Sequence, residues 1–104
     1  MIPMEERTFL VTYHTKPGCR EAFMRRLAEI GAPEAVRAEE GCRQYDYYLS
    51  VQDENEILLV ERWESLAHQQ KHLTQPHMAG IGEAKAQFVE RTELKCLAED
   101  LHAL

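Results

Sequence analysis

The chain has 104 residues, a formal net charge of −6 and 44% hydrophobic residues, which predicts one globular domain over residues 1–104. Its acidic surface should repel phosphate, so neither nucleic acid nor a membrane surface is an expected partner. No apolar run is long enough for a membrane span, and no hydrophobic leader is visible. Three widely spaced cysteines, Cys19, Cys42 and Cys96, favour reduced thiols and a cytoplasmic location.

The first third of the chain predicts a strand followed by a divided helix. Thr8–Thr15 alternates apolar and polar residues, as a half-buried strand does. From about Cys19 to Glu40, apolar residues such as Phe23 and Leu27 recur at helical spacing. The sequence at 31–33 contains glycine and proline, which should split this helix in two.

The middle of the chain predicts a hairpin of two strands joined by the polar residues 52–55. Cys42–Val51 should place Tyr45 and Tyr47 on one face and Cys42 on the opposite face. Glu56–Trp63 is apolar on both faces, which indicates a central strand.

The last part of the chain predicts two helices and a final strand. Ser65 is a typical N-cap for the first helix, and a second helix should begin near Pro76. Glu90–Ala98 alternates and predicts the last strand, so the domain core spans about residues 8–98 and residues 99–104 form a tail.

The predicted order of strand, helix, strand, strand, helix and strand is typical of an α+β, ferredoxin-like fold. This split βαβ arrangement has one antiparallel sheet with helices on one face. The opposite face carries too many apolar residues to lie in water, so we expect a homodimer that packs sheet to sheet.

Three of the five histidines lie between Glu61 and Met78, close to Trp63. Histidine titrates near neutral pH, so a group beside an aromatic residue suggests proton chemistry near an apolar pocket. The same histidines are also compatible with helix caps or hydrogen-bonded core positions, and Trp63 with a core anchor.

The residue patterns do not favour a metal or a bound cofactor. His68 and His72 lie four residues apart, with Glu64 four residues earlier, but the chain has no HExxH pattern and no evident third ligand. It also contains no glycine-rich fingerprint for a dinucleotide. We therefore expect neither a metal nor a cofactor.

Several motifs resemble the antibiotic biosynthesis monooxygenase (ABM) family, especially its small quinol monooxygenase branch. The resemblance covers about Phe9–Leu97. The matching segments are Lys16–Gly18, Glu39–Cys42 with Tyr45, Glu61–Ser65, Ala67–His68, His72 and Thr74–Met78.

This resemblance implies a dimeric α+β barrel with a pocket in each subunit. It also implies oxidation of a quinol or another electron-rich aromatic by dioxygen, without flavin, haem or metal. His72 matches the family's recurrent histidine and is the predicted base, with His77 as a second base or donor. The substrate-binding residues expected around them are Trp63, Tyr45, Tyr47, Phe23, Leu27, Met78 and Ile81.

Three other functions remain open at this point. The chain could be a non-catalytic dimeric module that binds an aromatic metabolite. Isomerisation of a small phosphorylated dione would need a basic phosphate site, and only Arg43 and Arg62 suggest one. Haem degradation is less favoured, because the first strand has no Asn and Gly80 and Gly82 lie near the expected axial position.

Overall fold

A computed structural model of the protein describes residues 5–97, so the predicted tail at 99–104 lies outside the described residues. The described part forms one sheet of four strands with four helices. In chain order these are β1 (Arg7–Thr15), α1 (Arg20–Glu29), α2 (Ala32–Arg37), β2 (Cys42–Leu49), β3 (Glu56–Trp63), α3 (Leu66–His72), α4 (Met78–Phe88) and β4 (Val89–Leu97).

The strands are ordered β2-β3-β1-β4, and each neighbouring pair is antiparallel. This order places the first and third strands at the centre of the sheet, as in a ferredoxin-like fold. The predicted fold class is therefore confirmed. The predicted division of the first helix is also confirmed, since Gly31 adopts a positive φ of 67° between α1 and α2.

The core lies between the sheet and the helices. Strand alternation directs Val11 and Tyr13 from β1, and Leu59 from β3, towards Phe23 and Leu27 of α1, and all five are buried. The rings of Tyr13 and Phe23 meet edge to face, with their centroids 5.3 Å apart. Burial of each large side chain contributes about 1.5–3 kcal/mol, so this layer holds the helices on the sheet.

The prediction that Cys42 faces away from Tyr45 was wrong. Cys42 pairs with Trp63, whereas Gln44 pairs with the adjacent Arg62, so the register shifts at Arg43. The irregularity inserts one residue into β2 and turns Cys42 to the helix-covered face, where it packs against the core. Cys42 thereby lies on the same face as Trp63, the last residue of β3.

Within residues 5–97, no helix covers the second face of the sheet. Its side chains include Leu10, Val60 and Tyr48, and Tyr48 is 50% exposed. A groove of about 620 Å³ lies over this face, with the ion pair of Glu6 and Arg62 in its lining. The second copy expected against this surface stays a prediction. Among the described residues, no helix is long and apolar enough to cross a membrane.

Candidate active site

A cavity of about 230 Å³ lies between the helix-covered face of the sheet and helices α3 and α4. Both walls combine apolar side chains with a few polar groups, as is usual for a site that binds a small organic molecule. The lining residues are Val11, Tyr13, Tyr45, Glu61 and Leu94 from the sheet, and Gln69, His72, Leu73, Met78, Ile81, Gly82 and Lys85 from the helical side.

His72 is the last residue of α3 and is only 2% exposed. Its helix begins at Ser65, whose hydroxyl accepts a hydrogen bond from the backbone N–H of His68, as predicted for an N-cap. The Nδ1 atom of His72 lies 2.7 Å from Oε2 of Glu39. Its Nε2 atom lies 3.9 Å from Oε1 of Glu61, on the wall of the cavity.

Glu39 connects two of the predicted histidines. Its Oε2 atom lies 2.7 Å from Nδ1 of His72 and also 2.7 Å from Nε2 of His77. This Glu39 oxygen can carry at most one proton and cannot donate to both rings. At least one imidazole N–H therefore donates to it. His77 occupies the N-cap position of α4 but makes no side-chain cap bond, and it does not line the cavity.

Glu61 is a buried carboxyl group in the cavity wall. Its Oε1 atom accepts a hydrogen bond of 3.0 Å from the indole N–H of Trp63. Burial raises the pKa of Glu61, an effect opposed by the Trp63 hydrogen bond and by the nearby charge of His72. The Trp63 ring also packs against the His72 ring, with a centroid separation of 4.7 Å. Trp63 therefore contacts two polar groups of the site, the Glu61 carboxyl group and the His72 ring.

Two tyrosines supply hydroxyl groups near His72. The Tyr47 hydroxyl donates to the Tyr45 hydroxyl across 3.3 Å, which leaves the Tyr45 proton free to donate further. Burial raises the pKa of Tyr45, and it raises the pKa of Tyr47 to about 12. Both phenols consequently stay protonated at neutral pH, and Tyr45 lines the cavity while Tyr47 lies behind it.

Lys85 brings a cation to the cavity. It lies on α4, and its Nζ atom is 5.6 Å from the centre of the Tyr13 ring. Burial raises the pKa of Tyr13, so this contact joins an ammonium group to a neutral phenol. The site thus contains a cation, a carboxyl group, an imidazole and phenols in one small volume.

The predicted site residues divide into three groups. Four of them line the cavity: His72, Tyr45, Met78 and Ile81. Trp63 and Tyr47 lie behind its wall, in contact with His72 and Tyr45, and His77 lies one contact further back, where it bonds Glu39. Phe23 and Leu27 do not reach the cavity and are 0% exposed in the core, because the face of α1 that carries them packs on the sheet.

Sequence reasoning did not assign roles to Glu39, Lys85 or Tyr13. Glu39 lies 33 residues before its partner His72, so no local spacing connects them. Lys85 follows Met78 and Ile81 at helical spacing, and this periodicity was the available signal that it shares their face. Tyr13 was assigned correctly to a strand face but not to a site.

Glu39, His72 and His77 are one of two groups of described residues whose ligand atoms lie within 4.8 Å of one another, as a metal site would need; the other is His14, Asp53 and Glu56. Ligands about 2.0–2.1 Å from a tetrahedral zinc ion lie roughly 3.3 Å apart. The two separations of 2.7 Å are shorter and match hydrogen bonds. His68, considered for a metal from its spacing, instead bonds the Ser65 hydroxyl at 2.6 Å.

Comparisons with known proteins agree with this architecture. The chain is 34% identical over 87 residues to an Escherichia coli protein named "Probable quinol monooxygenase YgiN", covering 74% of this chain and 82% of that protein. It is 34% identical over 94 residues to Rv0793 of Mycobacterium tuberculosis, covering 86% and 90% of the two chains.

Solved structures show the same fold. The structure of Rv0793 matches with a TM-score of 0.81 and 26% identity, covering 96% of this chain and 100% of that one. PA3566 from Pseudomonas aeruginosa matches with a TM-score of 0.82 and 25% identity, covering 97% and 100%. The family model described as "Antibiotic biosynthesis monooxygenase" matches residues 8–93. The chain therefore belongs to the antibiotic biosynthesis monooxygenase family.

Proposed function

We propose that the protein is a monooxygenase that oxidises a quinol or a related electron-rich aromatic with dioxygen, without a cofactor. The observation that carries this proposal is the placement of His72, a buried imidazole in the wall of a small cavity. Its Nδ1 atom is engaged by Glu39, so its Nε2 atom is the one available to a ligand. The family and the name of the E. coli relative support the reaction class.

The first step is removal of a phenolic proton by Nε2 of His72. A base whose ordinary pKa lies near the working pH is suited to this transfer. The quinolate then gives one electron to dioxygen, and the two radicals combine at a ring carbon. His72 returns its proton to the peroxide that results, and loss of water from this hydroperoxide breaks the O–O bond and leaves a hydroxylated quinone, so one oxygen atom enters the product and the other becomes water.

The remaining polar groups stabilise the anion that forms. The Tyr45 hydroxyl stays protonated and can donate to a substrate oxygen, and the Lys85 ammonium group supplies a positive charge. Fixed donors in a site with little water stabilise developing charge more strongly than water does. Met78 and Ile81 supply apolar surface for the aromatic ring.

The geometry favours this function over two of the alternatives. Neither of the arginines considered for a phosphate site lines the cavity: Arg43 pairs with Glu64 at 3.5 Å, and Arg62 pairs with Glu6 at 3.3 Å. A volume of about 230 Å³ is also small for haem, since pockets for drug-sized ligands begin near 300 Å³. The third alternative, a binding module without turnover, would have the same cavity, so only an activity measurement separates it from the proposed enzyme.

We also propose that two copies pack through the uncovered face of the sheet. This face presents Leu10, Val60 and the half-exposed Tyr48. We expect Val60→Lys to convert a dimer to a monomer in analytical ultracentrifugation, because the new charge would be buried. Leu66→Lys, on an exposed helical surface, is the matched control and should remain dimeric. A wild-type monomer at micromolar concentration would contradict the proposal.

The reaction is tested by oxygen consumption with a panel of chemically reduced naphthoquinones and polyphenols. We expect turnover with at least one quinol, transfer of one atom of labelled dioxygen into the product, and loss of roughly 10²–10⁴ in kcat for His72→Gln. His68→Gln is the matched control, since His68 lies on the same helix but outside the cavity. Binding without oxygen uptake across the panel would favour a binding module instead.

A further inference from the structure

We propose that Glu39 is the positioning residue of the site, and that a His77–Glu39–His72 clamp sets the tautomer and orientation of the His72 ring. This inference rests on the proposed role of His72 as a base. It assigns a function to Glu39, and it replaces the predicted role of His77 as a second base with a structural role one step behind the cavity.

The hydrogen-bond geometry defines the clamp. A carboxylate has only acceptor sites, so each imidazole nitrogen bound to Glu39 must carry its proton. With Nδ1–H of His72 donating to Glu39 at 2.7 Å, the neutral ring has its lone pair on Nε2. That nitrogen is the one directed towards the cavity wall at Glu61.

The tautomer matters because a base needs a lone pair at the atom that meets the substrate. If the proton moved to Nε2, the same ring would be a donor towards the cavity and could not accept a phenolic proton. A carboxylate that accepts a hydrogen bond from one ring nitrogen therefore determines that the other nitrogen carries the lone pair and can accept a proton. The Glu39 side chain is only 10% exposed, so water competes little for this bond.

The backbone around Glu39 holds the clamp in place. The Glu39 carbonyl accepts from the N–H of Cys42 at 3.2 Å, and the carbonyl of Gly41 accepts from the N–H of Glu64 at 2.8 Å. The loop is thereby fastened to the start of β2 and the end of β3. His77 donates a second hydrogen bond to the same Glu39 oxygen at 2.7 Å, which limits rotation of the carboxylate.

Glu40 provides a matched comparison within the same loop. Its side chain is 79% exposed, and it faces His68 at 3.7 Å instead of His72. Glu40→Gln removes the same charge one residue away from the clamp. A general effect of loop charge or stability would therefore appear in both variants, whereas a positioning effect would appear only in Glu39→Gln.

The first test is the ¹⁵N chemical shift of the two His72 ring nitrogens, which reports the tautomer without any turnover. We expect the Nδ1–H tautomer in the wild-type protein and in Glu40→Gln. In Glu39→Gln the amide can present N–H or oxygen to Nδ1, so we expect a shift towards the Nε2–H tautomer. A wild-type ring that carries its proton on Nε2 would overturn the proposal, and this measurement needs no variant to fold.

The second test is steady-state kinetics with an active quinol. We expect Glu39→Gln to lower kcat by about 10–10³-fold with little change in KM, Glu39→Asp to restore part of the loss, and Glu40→Gln to match wild type. His77→Gln should lower kcat less than Glu39→Gln does. Full kcat together with an unchanged tautomer in Glu39→Gln would refute a positioning role. Absence of turnover in the wild type would refute the reaction but leave the tautomer result to decide on the clamp.

Discussion

The contact between Trp63 and Glu61 supports a quantitative prediction for Trp63→Phe. The Trp63 side chain is fully buried, and its indole N–H donates to the Glu61 carboxyl oxygen at 3.0 Å. Phenylalanine keeps a flat aromatic ring beside His72 but removes this donor. The substitution therefore separates the hydrogen bond from most of the aromatic packing.

Two costs add in this variant. At a pH where the buried Glu61 is ionised, loss of the hydrogen bond to its carboxylate costs about 1.5–3 kcal/mol. The smaller ring leaves a void of roughly 40 Å³, which at about 24 cal/mol per Å³ costs about 1 kcal/mol more. We expect a total loss of about 2.5–4 kcal/mol in the free energy of unfolding, which lowers Tm by roughly 10–30 °C in a domain of this size.

Urea denaturation at a pH above the raised pKa of Glu61 measures this loss, and a double-mutant cycle with Glu61→Gln isolates the hydrogen bond. Because glutamine retains an oxygen acceptor but no charge, the cost of Trp63→Phe should fall when it is made in the Glu61→Gln background. A cost below about 1 kcal/mol in the wild-type background, or strict additivity in the cycle, would show that the indole does not stabilise the buried carboxylate.

Two other outcomes follow from Glu61 and from the glycine turns. Burial raises the pKa of Glu61, so the folded state retains a proton that the unfolded chain releases above the ordinary pKa of 4.5. The unfolding free energy should therefore fall as the pH rises from 4.5 through the raised pKa. This decline should disappear in Glu61→Gln when urea denaturation is repeated between about pH 4.5 and 8. An identical pH profile in the variant would contradict the assignment. Gly41 has a φ of +84°, and a Cβ there would lie 2.4 Å from the His68 ring, whereas Gly18 has a φ of +76° with open space around it. In thermal unfolding, Gly18→Ala should lower the unfolding free energy by about 1–2 kcal/mol from backbone strain alone, and Gly41→Ala should lower it clearly more. Equal losses of unfolding free energy would mean that the contact with His68 is easily relieved.

The fold could be predicted from the sequence because its signals are local. The β3 strand was predicted at Glu56–Trp63, as observed, because a run of branched apolar residues is bounded by a polar turn and by Ser65. The inserted residue at Arg43 was missed, because a register shift depends on the partner strand and leaves no mark in the composition of β2.

The candidate site could be predicted only in part. His72 was singled out among neighbouring histidines, and its burial in a cavity wall is consistent with that choice. Its Glu39 partner depends on a loop 33 residues earlier in the chain, a distance over which sequence periodicity carries no information. Phe23 was expected in the pocket because helical spacing identifies an inward face, but spacing does not distinguish a packed core from a cavity.

The most direct test of the central claim is an anaerobic titration of the protein with a naphthol whose neutral and ionised forms absorb at different wavelengths. If His72 accepts a phenolic proton inside the cavity, the bound naphthol should be ionised at a pH well below its own pKa in water. His68→Gln should preserve this spectral change, and His72→Gln should abolish it while still binding the ligand. A bound naphthol that remains neutral in the wild-type protein, or that ionises equally well in His72→Gln, would contradict the account.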